Sequence, residues 1–183
     1  MYVHYKAIND AYELFDGMTV RDSVSWSVMV GGFAKIGDFM NCFGTFRELI
    51  CRGLTPDNYT LPIVIRACRD RMDMVVGSLI HGVVLKFGLI FDHYICASLV
   101  DMYAKCKATE AAHVLFDEMP KKDLVTWTVM IGAYAECGNA SASLDLFDQM
   151  RREGIIPDKI AMPLSTGEYY GALDHGSFTI PCL

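Results

Sequence analysis

Five histidines and seven cysteines are the side chains of this 183-residue chain best suited to metal or nucleophilic chemistry. A zinc site needs ligands at short, repeated spacing, such as a Cys-x-x-Cys pair. His4, His81, His93, His113 and His175 are scattered, and Cys42, Cys51, Cys68, Cys96, Cys106, Cys137 and Cys182 contain no such pair. The odd cysteine count argues against a disulfide scaffold, so the cysteines read as small apolar packing residues in a reducing compartment. No G-x-x-x-x-G-K-[ST] phosphate loop and no G-x-S-x-G nucleophile turn occurs. The chain reads as a non-enzyme, with no metal, no cofactor and no small-molecule substrate.

Hydroxyls and carboxylates show more order. Ser27 and Thr128 stand 101 residues apart, and so do Asp57 and Asp158. On their own, Ser27 and Thr128 sit just inside helix starts, where a hydroxyl can bond to backbone. Asp57 and Asp158 follow prolines, where a carboxylate serves a turn or a cap.

These residues belong to a longer echo. VSWSVMVGGFAKIGDFM (24–40) returns as VTWTVMIGAYAECGNAS (125–141), and AYELFDGMTVRD (11–22) returns as AHVLFDEMPKKD (112–123). Spaced matches at a fixed offset mark a structural repeat, and so long a period implies shorter units within it. Trp26, Met29, Val30 and Phe33 fall on one helix face over 25–36. Gly37 supplies a stop and Asp38 a cap for the next helix, which carries Phe43, Phe46, Leu49 and Ile50 before Gly53 and Pro56. Residues 23–57 therefore read as a helical hairpin, repeated at 124–158. Two variant hairpins, 58–92 and 93–123, lie between them, giving units of 35, 35 and 31 residues. A single hairpin cannot bury its apolar face, so the units must stack as a solenoid. Trp26 and Trp127 are then packing residues, and Gly31-Gly32 marks a close helix–helix approach.

Units of 35, 35 and 31 residues carrying VSWSVMV, LVDMYAKC, LFDEMP and GIIPD resemble plant pentatricopeptide-repeat proteins of the PLS subclass. In that scheme 1–22 is a partial S-type repeat, 23–57 P-type, 58–92 L-type, 93–123 S-type and 124–158 P-type. Residues 159–183 start an L-type repeat and then diverge into a tail expected to be poorly ordered. The chain looks like a truncated member of the family.

The resemblance implies an all-α, right-handed α-solenoid of stacked helix-turn-helix repeats that binds single-stranded RNA. Each repeat addresses about one base through its fifth and last residues, and single-stranded RNA is generally read on such exposed base edges. The pairs carried over are Ser27 with Asp57, Thr128 with Asp158, Ala97 with Asp123, and Pro62 with Asp92. A small hydroxyl with a final Asp resembles the pairing that favours guanine. Val24, Val125, Tyr94 and Tyr59 hold the second position, which flanks bases. Lys35 and Lys105 occupy equivalent positions as candidate phosphate contacts, where the second P-type unit has Glu136.

The implied role is an adaptor in organellar RNA processing, with C-to-U editing-site recognition as the specific task. Accessory editing-factor proteins are implied as partners at the L-type repeat. The implied location is mitochondrion or chloroplast, the mitochondrion placed first. Longer relatives of this kind often carry C-terminal extensions, including a zinc-dependent cytidine deaminase-like domain, whose His-x-Glu and Cys-x-x-Cys are absent from these residues. The alternative is a protein-interaction helical-repeat scaffold without RNA readout. It draws on the formal charge of −6, because phosphate contacts usually need a basic stripe. No stretch is an uninterrupted membrane span, and VVGSLIHGVVLKFGLIF (75–91) is broken by His81 and Lys86.

Overall fold

The computed structural model describes residues 2–156, with side chains from residue 7 onward. Among the described residues the regular structure is entirely helical, as expected. The chain divides into two compact units, residues 1–119 and 120–183.

The first unit holds α1 (Tyr2–Asp16), α2 (Ser23–Ile36), α3 (Phe39–Cys51), α4 (Thr60–Arg71), α5 (Met74–Lys86), α6 (His93–Lys105) and α7 (Thr109–Glu118). A short 3-10 turn, Leu89–Phe91, precedes α6. Helices α2 and α3, α4 and α5, and α6 and α7 pair as hairpins. Helix α4 lies between α2 and α6 and touches both, so the first helices of successive hairpins form a layer. The second unit holds the hairpin of α8 (Leu124–Glu136) and α9 (Ala140–Arg152).

The apolar periodicity sets the core. Trp26, Met29, Val30 and Phe33 are all buried in α2, as are Trp127, Met130, Ile131 and Tyr134 in α8. Each such side chain removed from water contributes about 1.5–3 kcal/mol. Phe15 of α1 meets the Trp26 ring edge-on at 4.7 Å, and Arg52 lies 5.1 Å over the same indole. The paired glycines mark close approaches: a Cβ on Gly32 would collide with Ile8 Cδ1 of α1, and one on Gly31 would stand 3.6 Å from Ile63 Cδ1 of α4.

Caps define the hairpin corners. Asp38, Asp73 and Asn139 accept from the backbone N–H groups of Asn41, Val76 and Ala142 at 3.0–3.2 Å. Gly37 ends α2 at φ 76°, closing with bonds from its N–H to Ala34 O and from Asp38 N–H to Phe33 O. The same corner is made without glycine by Met72 (φ 52°) and Lys107 (φ 62°). Glycine spacing alone does not reveal these two stops. The shared pattern of closing bonds holds them, at a steric cost of about 1–2 kcal/mol for a side chain in this region.

Two sequence expectations change. The segment before residue 17 reads as the later part of an S-type unit, whose counterpart in α6–α7 turns at Cys106–Ala108. Here α1 runs unbroken through the matching positions. The cysteines also divide: Cys42, Cys68 and Cys96 are buried packing residues, whereas Cys51 and Cys137 are exposed and Cys106 is half-buried. Burial pushes the Cys42 and Cys68 thiols up to about 12. The expectation of a poorly ordered tail at 159–183 falls outside the described residues.

Candidate nucleic-acid interface

Four aspartates, the last residues of the proposed units 1–22, 23–57, 58–92 and 93–123, share one local task. Asp22 Oδ1 accepts from Ser25 N–H at 2.8 Å, Asp57 Oδ1 from Thr60 N–H at 2.7 Å, and Asp123 Oδ1 from Thr126 N–H at 2.9 Å. Asp92 Oδ1 accepts from Tyr94 and Ile95 at 3.0 and 3.2 Å. Each satisfies donors that a helix start leaves free. The capping role open to Asp57 on the sequence alone is therefore realised, and it occupies one carboxylate oxygen.

The second oxygen of Asp57 faces elsewhere. Asp57 Oδ2 lies 3.3 Å from Ser27 Oγ, across a sequence separation of 30 residues. So the fifth and last residues of 23–57 do come together. Ser27 is 5% exposed and Asp57 half-buried. Ser27 Oγ also lies 2.8 Å from Ser23 O and 2.6 Å from Thr60 Oγ1. A hydroxyl has one proton and two lone pairs. The shorter, in-helix contact takes the Ser27 proton to Ser23 O, so Thr60 must donate to Ser27. That leaves Ser27 with one free lone pair beside Asp57 Oδ2. Partial burial works to raise the Asp57 carboxyl, and the polar groups around it, the Thr60 hydroxyl and N–H and the nearby Ser27 hydroxyl, outweigh that and hold the group below the usual carboxylate range. The pair is thus two acceptors side by side, one of them charged at neutral pH.

The other fifth-position residues differ. Thr128 is half-buried on α8 and donates to Leu124 O at 2.7 Å, while its expected partner Asp158 lies outside the described residues. Ala97 and Pro62 are half-buried and carry no hydrogen-bonding side chain, so neither forms a hydroxyl–carboxylate pair with Asp123 or Asp92. Ala97 and Asp123 also fall in different compact units.

The second-position side chains are large and exposed: Val24 64%, Tyr59 66%, Tyr94 75% and Val125 66%. Val24 and Ser27 stand three apart on α2 and share a face. Tyr59 lies between Asp57 and Thr60 at the start of α4. Each member of the Ser27–Asp57 pair thus has an exposed apolar side chain within three residues of it in the chain. Lys35 and Lys105 are exposed in the last turns of α2 and α6, and Glu136 is exposed on α8.

Sequence reasoning missed Thr60 altogether. The signal was present as a hydroxyl recurring at the third repeat position: Ser25, Thr60 and Thr126. It also missed the ion pair that ties α4 to α6, Arg69 to Asp101 at 2.6 Å, which neutralises an acidic group on the first-helix layer. Among the described residues no cluster of His, Cys, Asp or Glu is placed to hold a metal ion, and no helix is long and apolar enough to cross a membrane.

This arrangement, helical hairpins layered so that a cap and a helix residue of consecutive units meet, defines the class: an α-helical repeat protein. Comparison with known proteins gives the particular family. The profile described as "PPR repeat family" matches residues 21–70 and 122–162, and that described as "PPR repeat" matches 94–124. The chain belongs to the PPR repeat family.

In Arabidopsis thaliana, it is 38% identical over 134 residues to the pentatricopeptide repeat-containing protein At4g33990, covering 72% of this chain and 16% of the relative. It is 36% identical over 175 residues to the chloroplastic protein DOT4, covering 93% and 20%, and 34% identical over 160 residues to the mitochondrial protein At1g06140, covering 87% and 29%. The chain thus spans less than a third of each of these relatives. Among solved structures it resembles PPR10 in complex with an 18-nt psaJ RNA element, with a TM-score of 0.69 at 16% identity over 87% of this chain and 25% of that one. PPR10 from maize gives a TM-score of 0.61 at 21% identity over 84% and 22%. At these identities the likeness shows the fold, an α-solenoid of helical hairpins.

Proposed function

We propose that this chain is a single-stranded RNA-binding adaptor in organellar RNA processing, built from repeats at 23–57, 58–92, 93–123 and 124–158. The observation that carries the reading is the Ser27–Asp57 pair. Two acceptors side by side match a base edge with two adjacent donors. Guanine has that edge in N1–H and N2–H2, whereas adenine, cytosine and uracil each place a donor beside an acceptor. The exposed Val24 and Tyr59 supply apolar faces for the bases on either side. Thr128 repeats Ser27 in register, and with Asp158 forms the second guanine reader. Pro62 and Ala97 leave their repeats without a hydroxyl and so with weaker base choice. Lys35 and Lys105 contact phosphate.

Support for an RNA partner comes from PPR10, whose structures include a complex with an 18-nt psaJ RNA element. Support for an organelle comes from relatives named chloroplastic and mitochondrial, in both of which the role fits. Within that role we place recognition of C-to-U editing sites, with accessory editing factors meeting the L-type repeat. The chain acts by binding, and any chemistry belongs to a partner.

The test is a guanine walk. A short uridine run carrying one guanine, moved base by base, is titrated with the full chain by fluorescence anisotropy. Binding should strengthen at two registers, and Thr128→Asn should abolish the gain at one of them only. Binding should also weaken steeply with salt, through released counterions. Binding that ignores guanine position, or an affinity insensitive to salt, overturns the RNA reading in favour of a protein-interaction scaffold, which the formal charge of −6 would suit.

A further inference from the structure

We propose that Thr60 is a positioning residue for base recognition: its hydroxyl, from the next repeat, fixes the Ser27 hydroxyl as an acceptor. The inference rests on the guanine-reading role of Ser27 and Asp57, and adds a third residue to it. Thr60 is 0% exposed, so it does not itself meet a base. Its Oγ1 lies 2.6 Å from Ser27 Oγ across 33 residues of sequence. Its N–H meanwhile donates to Asp57 Oδ1 at 2.7 Å. One residue therefore holds both members of the reader pair, the serine by its side chain and the aspartate by its backbone.

Proton accounting gives the consequence. A serine hydroxyl rotates freely and can donate or accept. With Thr60 donating into one lone pair and Ser23 O taking the proton, Ser27 has only acceptor capacity left. Without Thr60 nothing from the next repeat fixes the Ser27 hydroxyl, which can then swing closer to Asp57 Oδ2, already 3.3 Å away, and give it the proton. The pair would then satisfy itself and lose its guanine-specific edge.

The same repeat position shows the alternative arrangement. Ser25 Oγ and Thr126 Oγ1 donate to their own capping carboxylates, Asp22 and Asp123, each at 2.6 Å. The third-position hydroxyl thus meets only its own cap in those two repeats, whereas that of Thr60 reaches Ser27 of the preceding repeat as well as its own cap, Asp57. A third-position Thr or Ser is consequently a specificity determinant where the preceding fifth residue is itself a hydroxyl.

The experiment uses the full chain, the guanine walk, and four variants: Ser27→Ala, Thr60→Val, Thr60→Ala and Thr60→Ser. The readout is the ratio of affinities for guanine and adenine at the register of repeat 23–57, beside overall affinity for a plain uridine run. Thr60→Val removes the hydroxyl at constant shape and should cut the ratio about fivefold, the loss of one ordinary hydrogen bond. Affinity for plain uridine should hold within about twofold, because phosphate contacts carry it. Thr60→Ser should restore the ratio. Thr60→Ala gives the same reading if valine crowds the site, and thermal melts identify any variant that fails to fold.

A Ser27→Ala ratio equal to wild type, or no guanine preference in the wild type, overturns the base-reading role and this inference with it. A ratio lost in Ser27→Ala but kept in both Thr60→Val and Thr60→Ala overturns the positioning role alone. An equal weakening at every register, guanine and uridine alike, also overturns it, since that marks a merely structural threonine.

Discussion

Asp57 performs two tasks with two oxygens, and two substitutions should separate them. Asp57→Asn keeps an oxygen at the Oδ1 position, so the cap on Thr60 N–H survives. It replaces the charged acceptor facing Ser27 with an amide donor. Asp57→Ala removes both. Losing a helix cap costs about 1 kcal/mol. In a chain of this size that lowers the melting temperature by about 2–4 °C.

The expected result is a split. Asp57→Ala melts earlier by that amount and loses guanine preference, whereas Asp57→Asn melts near wild type and loses the preference all the same. In the asparagine variant the acceptor–donor pair should turn toward a base with a donor beside an acceptor. Acid should show the same logic. The folded Asp57 pKa lies below its ordinary value, so its share of stability is present at neutral pH and is lost as pH falls through that lowered pKa. The asparagine variant should lose that part of the acid sensitivity. Melting curves by circular dichroism and the guanine walk read both tasks. Equal melting of the two variants would remove the cap from Asp57, and unchanged guanine preference in Asp57→Asn would refute the acceptor-pair argument.

Lys107→Gly should raise stability by about 1 kcal/mol in a chemical denaturation, because Lys107 holds φ 62° without glycine's freedom. A loss of stability would show the lysine side chain to matter more than the backbone strain. Glycine substitutions should go opposite ways on two helices. Gly44→Ala, with nothing within 4 Å of its Cβ on α3, should stabilise by about 0.5–1 kcal/mol, and Gly77→Val should destabilise by about 1–3 kcal/mol, because the first added carbon already lies 2.6 Å from the buried Met102 Sδ.

His81 should make the fold weaken as pH drops. Burial lowers its pKa despite the nearby Glu118, and its Nδ1 lies 3.1 Å from Tyr103 Oη. Below about pH 6.5 the unfolded chain takes up the proton first, so stability is present above that pH and is lost on acidification through the lowered folded pKa. The melting temperature of His81→Gln should fall less between pH 7 and pH 5 than that of wild type.

Local order was legible in the sequence by itself. Helix faces follow from apolar spacing, and Trp26, Met29, Val30 and Phe33 are buried where the period puts them. Corners follow from short-range chemistry, so Asp38 and Gly37 could be read from their neighbours. These features depend on residues a few positions apart, and their energetics travel with the segment. The recurrence at 101 residues likewise revealed that hairpins must stack. The placing of Ser27 beside Asp57 came from the family resemblance rather than from the residues.

Tertiary structure decided the rest. Met72 and Lys107 adopt glycine-like corners because the closing bonds around them are already made. Cys51 and Cys137 look like the buried cysteines in composition, but which helix face meets a neighbour leaves them exposed. The Ser27–Asp57–Thr60 cluster is assembled from α2, the cap of α4 and the first turn of α4, over separations of 30 and 33 residues. A hydroxyl's role as donor or acceptor depends on what surrounds it in space. No spacing along the chain states that Thr60 points at Ser27 while Ser25 and Thr126 point at their caps. Only packing one hairpin on the next brings those oxygens within reach and assigns the protons between them.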